Sequence, residues 1–152
     1  MISTDRKKAL ILSAALLSMA LATQVVSFPQ RPLPNPVLYF VGSEPYKTGG
    51  KDWMRYKFMV GNYDAYPNEI FAPAPDLPPC GNNTKSSRTW VEVYDQGGKR
   101  LNGFCAFTKA ASLNEIWFSL EPGVVPPSWV YIELNDRKTN TKYKSNLADT
   151  TE

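Results

Sequence analysis

Two cysteines, 14 carboxylates and no histidine set the limits of what this chain can do chemically. Without an imidazole there is no Ser-His-Asp or Cys-His hydrolase site, and histidine-ligated zinc, copper and haem are excluded as well. What remains is carboxylate chemistry, hard-cation binding, a thiol or disulfide, and recognition by aromatic side chains. Asp64, Glu69 and Asp76 share one long loop, while Glu92, Glu115 and Glu133 sit on or beside strand-like runs. A glycosidase-type acid and base would need two of these brought together by folding, and spacing alone selects no pair. Solvated surface charge is the ordinary fate of such residues. Asn62, Asp64, Asn68, Glu69 and Asp76 are oxygen ligands of the kind calcium takes. They match no fixed calcium-loop spacing and serve equally as turn formers. No catalytic residue, metal site or cofactor is therefore expected.

Cys80 and Cys105 are most simply read as one disulfide, provided the chain is exported. The loop they close spans about 26 residues, worth roughly 3.5 kcal/mol in the chain-entropy account. A reactive thiol would need an activating base or cation nearby, and neither Pro78-Pro79-Cys80-Gly81 nor Phe104-Cys105-Ala106 supplies one locally. Export itself is read from the N-terminus. Arg6, Lys7 and Lys8 precede an uncharged run over residues 9–22 that ends in Ala20-Leu21-Ala22, the order of a basic region, an apolar region and a small-residue cleavage site. Cleavage after Ala22 gives a mature start at Thr23; retention as a membrane anchor is the alternative. Removing residues 1–22 leaves 14 basic against 13 acidic residues, too weak a field to attract nucleic acid. No membrane association is expected once the signal is gone.

The rest of the chain reads as short strands separated by turn chemistry. Phe28 to Pro36 holds four prolines, an extended tether over residues 23–36 that leads to a domain over 37–146 and a flexible tail over 147–152. Met54, Tyr56, Phe58 and Val60 alternate with Arg55 and Lys57, the period of a strand buried on one face. Strands are also predicted over 37–41, 89–94, 101–107, 116–120, 129–135 and 141–145. Gly97-Gly98 and the polar run Asp136 to Asn140 form the turns of two hairpins. Only 109–114 is expected to form a helical turn. Residues 62–86 are a long proline-rich connection in which only Glu69-Ile70-Phe71 suits a strand. Seven strands at this spacing predict an all-β, antiparallel sandwich of immunoglobulin or fibronectin kind. Its expected core is Tyr56, Phe58, Val60, Val91, Val93, Ile116, Phe118, Leu120, Val130, Ile132 and Leu134.

Strand alternation then sends Trp53, Trp90, Trp117 and Trp129 to the non-core faces, together with Tyr94, Phe104 and Tyr131. Outward aromatics are a platform for sugar rings or protein partners, unless the long loop folds over and buries them. Within that loop Tyr63, Tyr66 and Phe71 are the expected contacts, with a lid role as the competing reading.

The runs Arg88-Thr89-Trp90-Val91 with Tyr94-Asp95, Gly103-Phe104-Cys105-Ala106, Val130-Tyr131 with Asn135-Asp136-Arg137, and Tyr143-Lys144-Ser145-Asn146 resemble a group of small exported bacterial proteins. These carry a fibronectin type III-like or immunoglobulin-like domain. The resemblance covers Val37 to Asn146 and implies a sandwich in the envelope or outside the cell; the group has no established activity, so it implies no site residues. A more distant likeness to fibronectin type III modules implies a corner tyrosine, with Leu120, Pro122-Gly123 and Tyr131 supplying the residue types.

These readings favour a non-catalytic periplasmic or secreted module that recognises a protein or glycan. A small secreted enzyme using carboxylates or a metal, and a secreted inhibitor that inserts its proline-rich loop, are the alternatives.

Overall fold

The computed structural model describes residues 32–79, 86–105 and 108–151. The expected signal segment, residues 1–22, and Cys80 lie outside those residues. Among the described residues eight strands are formed: β1 (Leu38–Thr48), β2 (Lys51–Val60), β3 (Thr89–Asp95), β4 (Arg100–Cys105), β5 (Ile116–Leu120), β6 (Trp129–Asp136), β7 (Thr141–Lys144) and β8 (Ala148–Asp149). All of their pairings are antiparallel. They make two sheets, one in the order β1-β2-β5 and one in the order β4-β3-β6-β7, with β8 also on β6. The protein is all-β, and its helical turns are short 3-10 segments at Tyr63–Ala65, Asn68–Phe71 and Ala110–Asn114.

One apolar core lies between the sheets. The alternation in β2 sends Tyr56, Phe58 and Val60 inward, where Phe118 stacks on Tyr56 at 5.0 Å and on Phe58 at 5.8 Å. Val91 and Val93 from β3 and Val130, Ile132 and Leu134 from β6 meet them from the second sheet, all fully buried. Every residue of the expected core is there; Leu120, at the end of β5, is only partly buried.

Both open edges of this arrangement are bridged by an asparagine. Asn102 of β4 donates from Nδ2 to the Trp117 carbonyl of β5 at 2.7 Å. On the other side Asn146 accepts from the Leu38 N–H at 2.8 Å and donates to the Leu38 carbonyl at 3.0 Å, tying β1 to the chain between β7 and β8. These amides satisfy edge-strand backbone groups that would otherwise be free to recruit another strand.

The seven expected strands are present over the described residues, which leave out 106–107 of the one expected over 101–107, with four differences from the expectation. β1 runs on to Thr48 and forms a hairpin with β2. Gly42, at φ +140, marks a bulge after Phe40 that lets the strand continue, and Pro45 is tolerated on an edge strand. Gly49 and Gly50, at φ +57 and +75, then supply the two positive dihedrals a tight hairpin needs. Glu69-Ile70-Phe71 is a 3-10 turn rather than a strand, because Pro67 and Pro73 bracket it and its apolar pair turns into the core. Where a flexible tail is expected, Ala148–Asp149 pair with Trp129 and Val130, and the Thr150 N–H reaches the Ser128 carbonyl. The tether also docks before residue 37: Tyr66 donates its hydroxyl to the Pro34 carbonyl at 2.6 Å, and Asn62 donates to the Asn35 carbonyl at 3.0 Å.

Candidate functional site

The outer face of the first sheet gathers the residues best suited to recognition. β2 is its central strand, so Trp53, Arg55, Lys57 and Met59 project from the middle of the face. In register, Arg55 lies opposite Glu44 of β1 and Ser119 of β5, with Tyr46 and Trp117 on the diagonals. The Arg55 guanidinium carbon sits 3.5 Å from the Tyr46 ring centre and 4.6 Å from that of Trp117, a cation held between two aromatic rings. Phe104 meets Trp117 edge-on at 5.6 Å. Glu44 accepts from Lys57 at 2.8 Å and lies 3.8 Å from Arg55. The Lys57 hydrogen bond, with both cations behind it, outweighs the opposing effect of burial and holds Glu44 below the usual carboxylate range.

Beside this stack the face hollows into a groove of about 370 Å³. Val41 and Trp117 give it apolar surface, Arg55 and Lys57 bring cations, and Asn114 and Glu115 bring oxygen. Val41, the bulge residue, is 55% exposed, and neighbouring Tyr39 is 53% exposed. Several polar atoms of this face are shielded without a hydrogen-bond partner: Trp53 Nε1, Arg55 Nε, Ser119 Oγ and Asn114 Oδ1. A protein surface ordinarily satisfies such groups, and leaving them unpaired is costly.

The outer face of the second sheet is built differently. Arg100 folds back over Gly103, where a Cβ would collide with it, and pairs with Glu92 at 3.0 Å above the Trp90 ring. Tyr94 donates to Glu92 at 2.7 Å and stacks on Tyr131, which Lys144 caps at 3.9 Å. Burial and the Glu92 hydrogen bond push the Tyr94 hydroxyl up to about 12. Tyr131 is buried between the Tyr94 ring and the Lys144 ammonium. The placement of Phe104 is corrected: it pairs with Val91 and so shares the inward parity of β3, packing against the core.

The four tryptophans do take the non-core parity. Trp53, Trp90 and Trp117 are half-buried among the side chains of their own faces, and Trp129 is 40% exposed. The expected loop contacts fare differently. Phe71 is fully buried, Tyr66 is 3% exposed, and Tyr63 packs partly buried on the core. They pack as a lid on the core and not, as the competing reading has it, over the tryptophan-bearing face, and in this structure Tyr66 and Phe71 are out of a partner's reach.

Polar ties hold that lid down. Thr89 donates to the Ile70 carbonyl, Arg137 donates to the Ser87 and Pro78 carbonyls at 2.8 and 2.6 Å, and Asn68 accepts from the Ala110 N–H at 2.9 Å. Asn62 accepts from the Val37 N–H at 2.8 Å. Two of the five oxygen-bearing side chains weighed as calcium ligands are thus occupied by the backbone, and Asp76 reaches Lys138 at 3.7 Å. Among the described residues no three acidic or cysteine side chains cluster as a metal site. At the base of the lid Arg88 grips Asp136 through two hydrogen bonds of 2.9 and 2.6 Å.

Cys105 ends β4 opposite Trp90. No disulfide joins two described residues, since its expected partner Cys80 is outside them. No family model, curated protein or solved structure matches the chain.

The sequence reading missed the groove. Arg55, Lys57, Asn114 and Tyr46 carry no motif, and only the alternation of β2 hinted that two cations share a face with Trp53.

Proposed function

We propose that this chain is a non-catalytic, exported recognition module whose partner, a glycan or a protein, docks on the outer face of the β1-β2-β5 sheet. The observation that carries the reading is the groove beside the Tyr46-Arg55-Trp117 stack. It combines apolar surface with polar groups that have no partner within the protein, the combination that small binding sites use. The non-catalytic reading accords with Glu44, Glu92, Glu133 and Asp136 each being held by a neighbouring cation.

The fold reading is a fibronectin type III-like sandwich. Seven of the strands divide three against four, and β4 joins β3 rather than β5, whereas in immunoglobulin constant domains the fourth strand joins the first sheet. The bridge from Cys80 to Cys105 belongs to the same reading. Arg137 holds Pro78 beside the start of β3, and Cys105 lies opposite Trp90 in that same stretch. An exported chain, cleaved after Ala22, is the setting in which such a bridge persists.

Envelope extract passed over the immobilised protein tests the function, with a Tyr46→Ala/Arg55→Ala variant in parallel. Loss of the captured component in the variant, at a retained fold, is the expected result. Equal capture by both proteins would remove the face from the account.

A further inference from the structure

We infer that the groove recognises the acetamido group of an N-acetylated amino sugar, an inference that rests on the outer-face reading above. The groove is chemically two-sided. Arg55 and Lys57 bring donors: Arg55 Nε has no partner, and the Lys57 ammonium gives one hydrogen bond to Glu44 and keeps the rest of its capacity. Asn114 and Glu115 bring acceptors: Asn114 Oδ1 has no partner, and Glu115 is exposed. Both Arg55 and Asn114 are partly exposed residues, so their unpaired atoms are shielded at the surface rather than sealed in the core. Val41 and Trp117 supply apolar surface to the same groove.

An acetamide matches this polarity group by group. Its carbonyl accepts from Arg55 or Lys57, its N–H donates to Asn114 or Glu115, and its methyl lies on the apolar surface. A plain hydroxyl can donate and accept but brings no methyl for that surface. A free amine adds a third cation beside Arg55 and Lys57. A peptide amide has the same polar groups, but extended peptides bind through sheet edges, by backbone hydrogen bonds. Here the groove lies over β2, whose backbone is already paired on both sides to β1 and β5. A strand-adding peptide therefore finds no free edge here, which favours a sugar. The volume of about 370 Å³ is at the small end of ligand sites and suits one or two sugar rings.

Titration of the purified protein with three trisaccharides of the same linkage separates the contributions: the β-1,4 trimer of N-acetylglucosamine, the glucosamine trimer, and cellotriose. Tryptophan fluorescence reports occupancy because Trp117 lines the groove, and calorimetry gives the affinity. The acetylated trimer is expected to bind at least about tenfold more tightly than either analogue, the effect of leaving one buried polar group unpaired. Asn114→Ala and Lys57→Ala should each weaken it about tenfold at a nearly unchanged thermal midpoint, since Asn114 Oδ1 has no partner and the Lys57–Glu44 pair between β2 and β1 is exposed enough to contribute little. Equal affinity for the three trimers, no binding of any, or binding that survives both substitutions overturns the inference. If envelope capture is still lost in Tyr46→Ala/Arg55→Ala while the acetylated trimer fails to bind, the face remains a recognition surface and only the ligand class falls. If capture is also unchanged, both fall.

Discussion

Asp136→Asn tests how the lid end of the domain is held. Asp136 is 3% exposed and accepts two hydrogen bonds from Arg88, at 2.9 and 2.6 Å, and one from the Lys138 N–H at 3.1 Å. Asparagine keeps the shape and one acceptor oxygen but turns an N–H toward the guanidinium in place of the second. One charge-assisted hydrogen bond is lost, worth about 1.5–3 kcal/mol, and Arg88 is left without its counter-charge. Arg88 is 25% exposed, so water relieves part of that second cost. The expected destabilisation is about 2–3 kcal/mol, or roughly 6–15 °C in thermal midpoint for a domain of this size. The pH dependence adds a second reading. Burial pushes the Asp136 carboxyl up, but the Arg88 hydrogen bonds, the Lys138 N–H and the Arg88 charge outweigh it and hold the group below its ordinary value. A carboxyl depressed in the folded state stabilises above the unfolded value of about 3.9, and that stability is lost as pH falls through the folded value. The gap between wild type and Asp136→Asn should therefore be constant from about pH 5 to 8 and close below about pH 4. Urea unfolding across that range measures both. A gap under about 0.5 kcal/mol at neutrality, or one that persists unchanged in acid, refutes the account of this ion pair.

Three further outcomes follow from particular contacts. Tyr66→Phe removes only the hydroxyl bond to Pro34 and should cost about 1 kcal/mol, whereas Tyr66→Ala should cost about 3–5 kcal/mol; denaturant midpoints compare the two, and unchanged stability in Tyr66→Ala would contradict the lid role. Asn146→Ala strips the bridge to both backbone groups of Leu38 and should cost about 1–3 kcal/mol, with faster amide exchange at the start of β1; an unaltered exchange pattern would show that this edge closes without it. Thiol titration of unfolded, unreduced protein should find no free thiol, and N-terminal sequencing should begin at Thr23; two titrating thiols would eliminate the Cys80–Cys105 bridge.

The sequence by itself determined the strands and most of the core, because the information is local. Alternation in Met54 to Val60 and in Val130 to Leu134 assigns each side chain to one face, and glycine at Gly98 marks a turn by its need for positive φ. The same local logic placed all four tryptophans off the core. Where the local signal was broken by Gly42 and Pro45, the reading stopped at Val41, although a bulge and a free edge let the strand go on. Tertiary structure alone decided what the loop does. Tyr66, Ile70 and Phe71 look like exposed loop residues until the open end of the sandwich offers them apolar surface and Arg137, Thr89 and Asn68 fix the backbone there. The groove is the clearest case: Val41 comes from β1, Arg55 and Lys57 from β2, and Asn114 to Trp117 from the entry into β5. These residues are up to about 75 positions apart in the chain, and only the pairing of β2 with both β1 and β5 makes them neighbours.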